Sequence, residues 1–209
     1  MLKLNRRAMI ALAAAATAAM TPALTLAEEA VTPAVGLEDF SIGAADAKVK
    51  IVEYASFTCP HCATFHEAVF GELKKNYIDT GKVHFTLREV YFDRYGLWAA
   101  MVARCGGEMR YFGIHDMLFA KQSEWAASED PAQVVESLKA IGLAAGIDQA
   151  ALDACLNDQA NAEAMIARFE TNMAADDVKG TPTIIVNGTK YSNMTYDELA
   201  AILDAELAK

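Results

Sequence analysis

Apolar residues in the first half of the chain follow a strand, helix, strand order. The run at 49–55 is apolar with few polar interruptions, which predicts a central strand buried on both faces. Positions 83–88 alternate between apolar and polar residues, as in a strand with one buried face. Between the two runs, apolar side chains recur every four residues at Phe65, Val69, Leu73 and Tyr77. This order predicts two parallel strands joined by a helix.

The second half has helical spacing before strands return. From about 94 to 179 the pattern is helical, and Asp130-Pro131 predicts a helix start inside this stretch. A strand is predicted at 183–186, and Asn187-Gly188 predicts a tight hairpin leading into 189–191. A sheet interrupted by helices is therefore expected, rather than separate helical and strand domains.

Two further elements are predicted near the two ends of the sheet domain. A strand at 39–42 is predicted at the edge of the sheet, and a final helix begins at Thr195, which forms a capping box with Glu198. We therefore predict an α/β fold with a small mixed sheet and an inserted helical domain. The sheet domain is assigned to 39–93 and 180–209, and the helical insertion to 94–179.

The first 27 residues have the composition of a secretory signal peptide. A basic head precedes an Ala-rich apolar stretch at 8–20, and Thr25-Leu26-Ala27 offers a small-residue cleavage site. The apolar stretch is shorter than the ~20 residues of a membrane span. Arg6-Arg7 leaves open whether export uses the general secretory or the twin-arginine route. We expect an exported, soluble protein with a short leader at 28–38.

Charge narrows the classes of partner. The chain has 28 acidic and 18 basic residues, and loss of the three positive charges of the signal changes the net charge from −10 to −13. An acidic surface argues against nucleic acid and anionic membranes as partners. Some 180 mature residues are enough for one domain with a sizeable core.

The motif Cys59-Pro60-His61-Cys62 stands between the first predicted strand and the helix. Pro60 suits the first helical position, so Cys59 is expected at the N-cap, where unpaired N–H groups and the helix dipole favour a thiolate. Cys62 falls on the same face about one turn later. These positions predict Cys59 as the nucleophile and Cys62 as the resolving thiol of a redox pair.

A C-x-x-C motif also occurs in structural disulfides and in zinc sites. The other cysteines, Cys105 and Cys155, are 50 residues apart and form no second C-x-x-C, so a four-cysteine zinc site is improbable. Because exported proteins retain disulfides, we predict a structural disulfide between Cys105 and Cys155, with two buried free thiols as the alternative. No metal site is predicted, since His66, His84 and His115 lack ligand spacing and are expected to be structural.

The chain resembles the DsbA-like branch of the thioredoxin superfamily. The resemblance covers the mature chain from about residue 39 and is carried by Glu-Tyr-Ala-Ser-Phe-Thr-Cys-Pro-His-Cys at 53–62, the helical insertion, and Gly-Thr-Pro-Thr at 180–183. It implies a thioredoxin-like sheet and a periplasmic thiol-disulfide oxidoreductase. It also implies that Cys59 attacks and Cys62 resolves, while Pro60 and His61 form the dipeptide typical of strongly oxidising members.

The resemblance assigns further roles around the motif. It implies that Pro182 follows a cis peptide bond facing the active site, and that the backbone of Thr181 binds the substrate chain. Thr181 departs from the valine of the best-known oxidase and is more similar to the isomerase-type branches. His61 is expected to place an N–H donor or a positive charge near the Cys59 sulfur.

Glu53 is a carboxylate inside the apolar run at 49–55. Desolvation should raise its pKa and suit it to proton transfer with Cys62, and the resemblance also implies an acidic residue here. The alternative is a solvated side chain at an exposed edge of the strand.

The resemblance implies an oxidase that donates the Cys59–Cys62 disulfide to newly exported proteins as they fold. Its expected partner is a membrane quinone reductase of the DsbB type, and the redox-active disulfide replaces any separate cofactor. A monomer is expected. A disulfide isomerase or reductase is the sister interpretation, disfavoured by a leader too short for a dimerisation domain. A metal carrier using Cys59 and Cys62 is a third, although Met-rich and His-rich tracts are lacking.

Overall fold

A computed structural model describes residues 37–209 of the chain. The predicted signal peptide at 1–27 and nearly all of the predicted leader lie outside the described residues. Within the described part, no helix is both long enough and apolar enough to cross a membrane.

Five strands form one mixed sheet in the order β1-β3-β2-β4-β5. The central strands β2 and β3 are parallel, and every other neighbouring pair is antiparallel. The predicted parallel pair and the predicted edge strand are therefore confirmed. The strands are β1 (Phe40–Ile42), β2 (Val49–Ala55), β3 (Val83–Glu89), β4 (Thr183–Val186) and β5 (Thr189–Tyr191).

Burial along β2 differs between its two ends. Glu53, Tyr54 and Ala55 are all buried, so both faces are covered where the strand approaches the motif. Lys50 is exposed and Val52 is half-buried, so the prediction of burial on both faces is wrong for the first half of the strand. The face of the strand that carries Tyr54 is covered mainly near the C-terminal end of β2. There Tyr54 forms a small buried cluster with Val90 and Val178.

Helix α1 follows the motif and runs continuously from residue 60 to residue 78. It consists of Pro60–Phe65, a π-helical turn at His66–Phe70, Gly71–Leu73 and a second π-helical turn at Lys74–Ile78. The predicted apolar stripe is buried against the sheet, and Gly81 ends the connection with a φ of +74°. The sequence analysis predicted one regular helix here and did not predict the π-helical turns.

Six helices lie between β3 and β4 along the chain. Aspartates cap α2, α5, α6 and α7, each accepting a hydrogen bond from a backbone N–H of the first turn. The helices are α2 (Arg94–Cys105), α3 (Glu108–Ala120), α4 (Gln122–Trp125), α5 (Pro131–Ala144), α6 (Gln149–Leu156) and α7 (Gln159–Ala175). The helical stretch and the cap at Asp130 agree with the sequence pattern, and Val135 of α5 is half-buried.

Cys105 and Cys155 join two of these helices. Their sulfurs are 2.16 Å apart and their Cα atoms 6.0 Å apart, so a disulfide connects the end of α2 to α6. Both cysteines lie in the stretch predicted to be helical. The structure forms the disulfide that the sequence analysis predicted.

The chain closes with the hairpin and a last helix, α8 (Tyr196–Ala208). Asn187 and Gly188 have φ values of +45° and +84°, as a type I′ turn requires. Thr195 and Glu198 form the predicted capping box. Leu199 and Leu203 are buried, whereas Ile202 is half-buried.

Candidate active site

The site forms where the end of β2, the start of α1 and the start of β4 lie close together. Strand β2 leads into the motif, helix α1 begins at Pro60, and the cis peptide bond Thr181–Pro182 directly precedes β4. Because β2 and β4 are paired, this peptide lies beside the motif, with Cys59 Sγ 3.6 Å from the carbonyl oxygen of Thr181. Residues 122 positions apart in sequence thus meet at one end of the sheet.

Cys59 occupies the N-cap of α1 and is half-buried. Its backbone is extended, with φ −79° and ψ 118°, and its carbonyl accepts from the N–H groups of Cys62 and Ala63. A hydrogen bond from the Cys62 thiol lowers the pKa of Cys59 most, burial opposes this, and contacts with Thr181 and the motif N–H groups lower it further, to about 5. At neutral pH Cys59 is therefore a thiolate.

The pKa of Cys62 is shifted in the opposite direction. It is a free thiol like Cys59, but it is fully buried. Its hydrogen bond to Cys59 raises its pKa, and burial and the nearby charge of Glu53 raise it further. Cys62 therefore keeps its proton when Cys59 has lost its own.

Glu53 lies beneath the motif with 3% of its surface exposed. Burial raises the pKa of Glu53 to about 8, and the charge of Cys59 adds to this shift. The predicted desolvation is confirmed, and the alternative of a solvated side chain is wrong. A carboxyl group that titrates near neutral pH is suited to proton transfer.

Pro60 and His61 are exposed at the first turn of α1. Pro60 takes the first helical position, as predicted. The backbone N–H of His61 contributes to the low pKa of Cys59. The His61 side chain lines an open cleft shared with the 179–183 segment and the region around β5. A tuning role for its imidazole stays a prediction.

The cis peptide at Thr181–Pro182 forms one wall of this cleft. The hydroxyl oxygen of Thr181 is buried and lacks a hydrogen-bond partner within the described part of the chain. A thiolate at Cys59 offers this hydroxyl an acceptor, in keeping with the contribution of Thr181 to the lowered pKa. Substrate binding by Thr181 and Pro182 stays a prediction.

Two contacts from the helices to the motif loop were not found in the sequence. Gln122 Nε2 donates to the carbonyl oxygens of Phe57 (2.7 Å) and Cys59 (3.0 Å). Thr58 Oγ1 donates to Asp93 Oδ2 at 2.6 Å, and the other carboxylate oxygen of Asp93 caps α2. Gln122 is more than 60 residues from the motif and belongs to no motif of its own, so the sequence contained no signal for it.

The histidines differ from their prediction in one respect. His66 and His115 were expected to be isolated, but their ring centroids are 4.7 Å apart and Asp116 contacts both. The contact joins α1 to α3 across 49 residues, which explains why ligand spacing along the sequence did not reveal it.

Comparisons with known proteins agree with this geometry. A family profile described as thioredoxin matches residues 35–205. A putative protein-disulfide oxidoreductase of Rickettsia bellii is 35% identical over 167 residues, which cover 79% of this chain and 63% of that protein. Disulfide bond formation protein D of Bacillus subtilis is 28% identical over 186 residues, covering 79% of this chain and 76% of that protein.

Among solved structures, alpha-DsbA1 of Wolbachia pipientis superposes with a TM-score of 0.76 at 25% identity, covering 82% of this chain and 92% of that one. The predicted fold class is thereby confirmed. This chain spans 60% to 63% of the length of rickettsial relatives from two species, so part of each relative has no aligned counterpart here.

Proposed function

Because this chain belongs to the DsbA-like branch of the thioredoxin superfamily, we propose that it is an exported thiol-disulfide oxidoreductase that donates a Cys59–Cys62 disulfide to folding proteins. The observation that carries the proposal is the position of Cys59 at the N-cap of α1, beside the buried free thiol of Cys62. A pKa of about 5 makes Cys59 a stable thiolate, while Cys62 remains protonated. Stabilising the reduced pair in this way makes the disulfide a strong oxidant.

The reaction begins with the oxidised pair. A substrate thiolate attacks Cys59 Sγ, the Cys59–Cys62 bond breaks, and a mixed disulfide forms between Cys59 and the substrate. A second substrate thiolate then attacks the substrate sulfur, and Cys59 leaves as a thiolate. Two electrons pass from the substrate to the cysteine pair, one proton ends on Cys62 and the other is released to solvent.

Glu53 supports the first step. Cys62 is the leaving group there, and its raised pKa makes the bare thiolate a poor one. With a pKa of about 8, Glu53 is largely protonated at neutral pH and delivers a proton toward Cys62 as the bond breaks. In the reverse, reductive direction the same carboxylate accepts that proton.

The cleft beside the motif receives the substrate chain. Thr181, Pro182 and His61 line this cleft, and Cys59 Sγ lies 3.6 Å from the carbonyl oxygen of Thr181. A thiol-bearing segment bound in this cleft places its sulfur against Cys59, the more exposed member of the pair.

Turnover requires reoxidation of the dithiol. We assign this step to a membrane quinone reductase of the DsbB type in the periplasm, with the exchanged disulfide as the redox group and no separate cofactor. The protein acts as a monomer in this proposal.

A disulfide isomerase is the second candidate, favoured by Thr181 at the position before the cis proline. The decisive experiment is the equilibrium of Cys59–Cys62 with glutathione, combined with assays on reduced and on scrambled ribonuclease A. We expect a potential well above that of the glutathione pool, and oxidation of the reduced substrate faster than repair of the scrambled one. A potential near or below that of glutathione, with faster repair, would favour the isomerase.

A further inference from the structure

A second group of chemically active side chains lies behind the active-site helix. His66 in α1 and His115 and Asp116 in α3 meet there. His66 Nε2 is 3.5 Å, and His115 Nδ1 is 3.1 Å, from the same carboxylate oxygen, Asp116 Oδ1. One ligand atom from each of the three residues lies within 4.8 Å of the others. The three residues therefore form a compact cluster of ligand atoms.

The environment suits a bound cation. The side chains of His66 and His115 are 14% and 1% exposed, whereas that of Asp116 is 48% exposed and keeps the group open to solvent. Neutral imidazole nitrogens and one carboxylate oxygen are ligands that zinc accepts.

His115 has a nitrogen that the described protein leaves unsatisfied. Its Nε2 is buried without a hydrogen-bond partner in the part of the chain that the structure describes. Aromatic rings surround the imidazole, namely those of Phe57, Phe70, Phe112 and Phe119. Because the surrounding rings are at most weak acceptors, this nitrogen suits an N–H group, which leaves the lone pair of the imidazole on Nδ1.

The two neutral tautomers of His115 differ in what they leave unpaired. A proton on Nδ1 is donated to Asp116, but the lone pair of Nε2 then faces only apolar rings. A proton on Nε2 points toward those rings, which are weak acceptors, but the lone pair of Nδ1 then faces the Asp116 carboxylate at 3.1 Å. In this second tautomer the lone pair and the carboxylate repel each other. A cation bound between them is coordinated by both and removes the repulsion.

We propose that His66 Nε2, His115 Nδ1 and Asp116 Oδ1 form a zinc-binding site that is separate from the redox pair. Ligand atoms around a tetrahedral zinc ion with bonds of 2.0–2.1 Å lie ~3.3 Å apart, and the two separations from Asp116 Oδ1 are close to this value. Two imidazoles disfavour calcium and magnesium, which prefer oxygen ligands. The fourth position is left to water.

The site would connect two parts of the fold. His66 follows Cys62 by one helical turn in α1, while His115 and Asp116 belong to the inserted helices. A bound ion therefore fixes the back of the active-site helix to α3 without contact with either motif sulfur.

Zinc titration of tag-free, chelator-treated protein tests the proposal. The protein is kept oxidised so that Cys59 and Cys62 offer no thiolates. We expect one zinc ion per chain by calorimetry, and visible absorption bands of tetrahedral cobalt when cobalt replaces zinc. His66→Phe preserves the stacking on Phe70 and Phe119, and should weaken binding by about tenfold or more.

Asp116→Asn is the second variant, because Asp116 is half-exposed and its replacement does not depend on core packing. It should also weaken binding by about tenfold or more. His84→Gln and His61→Gln are controls outside the group and should bind as the wild type does. Absence of zinc binding by the oxidised wild type, or binding that survives both His66→Phe and Asp116→Asn, would overturn the proposal.

Discussion

At the scale of single residues, the site depends on which of Cys59, Cys62 and Glu53 carries the negative charge. Cys59 meets the N–H groups of the first turn, whereas Cys62 and Glu53 are buried. Burial penalises a charge, so the negative charge stays on the one member of the group that has hydrogen-bond donors. At neutral pH, Cys62 and Glu53 therefore keep their protons while Cys59 carries the charge.

The thiol of Cys62 is the largest cause of the lowered pKa of Cys59. Cys62→Ala should therefore raise the pKa of Cys59 above about 5, whereas Cys62→Ser keeps a donor and should raise it less. Thiolate absorbance followed against pH gives both values. Equal pKa values in the two variants would show that the helix N-terminus alone stabilises the thiolate.

Glu53→Gln should stabilise the oxidised protein at alkaline pH. Burial, the largest cause of the raised pKa of Glu53, acts in the oxidised protein too and favours the protonated folded state, so the wild type loses unfolding free energy as the pH rises above about 4.5. Glutamine carries no charge at any pH and should remove this loss, a gain of about 2 to 4 kcal/mol near pH 8. Urea unfolding at pH 5 and pH 8 measures the difference.

The matched control for Glu53→Gln is the exposed Glu72→Gln, which should leave the pH dependence unchanged. A wild-type stability that stays constant from pH 5 to pH 8 would contradict the burial of a titrating carboxyl group at position 53.

Gln122 is a positioning residue, because it contacts the backbone of the motif loop and not the reacting sulfur. Gln122→Met has similar length but loses both hydrogen bonds to the loop. We expect the pKa of Cys59 to rise by about half a unit and kcat to fall severalfold with little change in KM. The neighbouring Ser123→Ala is the control, and an unchanged pKa in Gln122→Met would rule out this role.

At the scale of elements, the helices inserted between β3 and β4 hold one another as well as the motif loop. Helix α2 is capped by Asp93, which also binds Thr58, and it ends at the disulfide to α6. The same helix therefore connects the active-site loop at its start to a covalent bridge at its end.

Replacing Cys105 and Cys155 together by alanine should lower the free energy of unfolding by about 2 to 4 kcal/mol. The bond closes a loop with a sequence separation of 50, and its loss enlarges the conformational entropy of the unfolded chain. Urea unfolding of the double variant measures the effect. The control is the double alanine variant of Cys59 and Cys62, which keeps the bridge between α2 and α6.

Mild reduction separates the two disulfides chemically. A strong oxidant gives up its disulfide first, so alkylation of folded protein should label the Cys59–Cys62 pair and leave Cys105 and Cys155 unlabelled. Four labels per folded chain, counted by intact mass, would contradict a structural bond.

At the scale of the whole molecule, a half-buried charge network connects the start of the described chain to the sheet and to α7. Arg88 binds Asp39 at 2.8 Å, Asp176 at 2.7 Å and the hydroxyl of Tyr54 at 2.8 Å. Arg168 adds a second contact to Asp39. Arg88 is the member on which three separate segments converge.

Arg88→Met should therefore lower the free energy of unfolding by about 1 to 3 kcal/mol, since it leaves half-buried carboxylates without their partner. Arg168→Met removes a more exposed pair and should cost less than about 1 kcal/mol. Urea unfolding of both variants compares the two costs. Equal costs would show that Arg88 is not the centre of the network.

The sequence predicts most of the fold because the relevant signals are local. Alternation along β3, the caps at Asp130 and Thr195 and the Asn187-Gly188 turn each depend on neighbouring residues. The position of Cys59 at the start of α1 followed from Pro60 in the same way.

What the sequence does not reveal depends on contacts across the fold. Gln122 reaches the motif, and His115 reaches His66, only after α3 and α4 pack beside α1. Half-buried positions such as Val135 and Ile202 lie at the margins of their apolar stripes, where spacing alone does not separate core from surface. The resemblance to a family contributed the cis bond before Pro182, which local sequence leaves open.

The two outer strands have a consequence for how this protein coexists with its substrates. Both β1 and β5 are three residues long, and β5 carries Lys190 at its centre. A short edge strand offers few backbone groups for pairing with a foreign chain, and a lysine on β5 discourages such pairing further. Under the proposed function the protein meets polypeptides with many unpaired strands, and its blunted edges would keep it out of their aggregates.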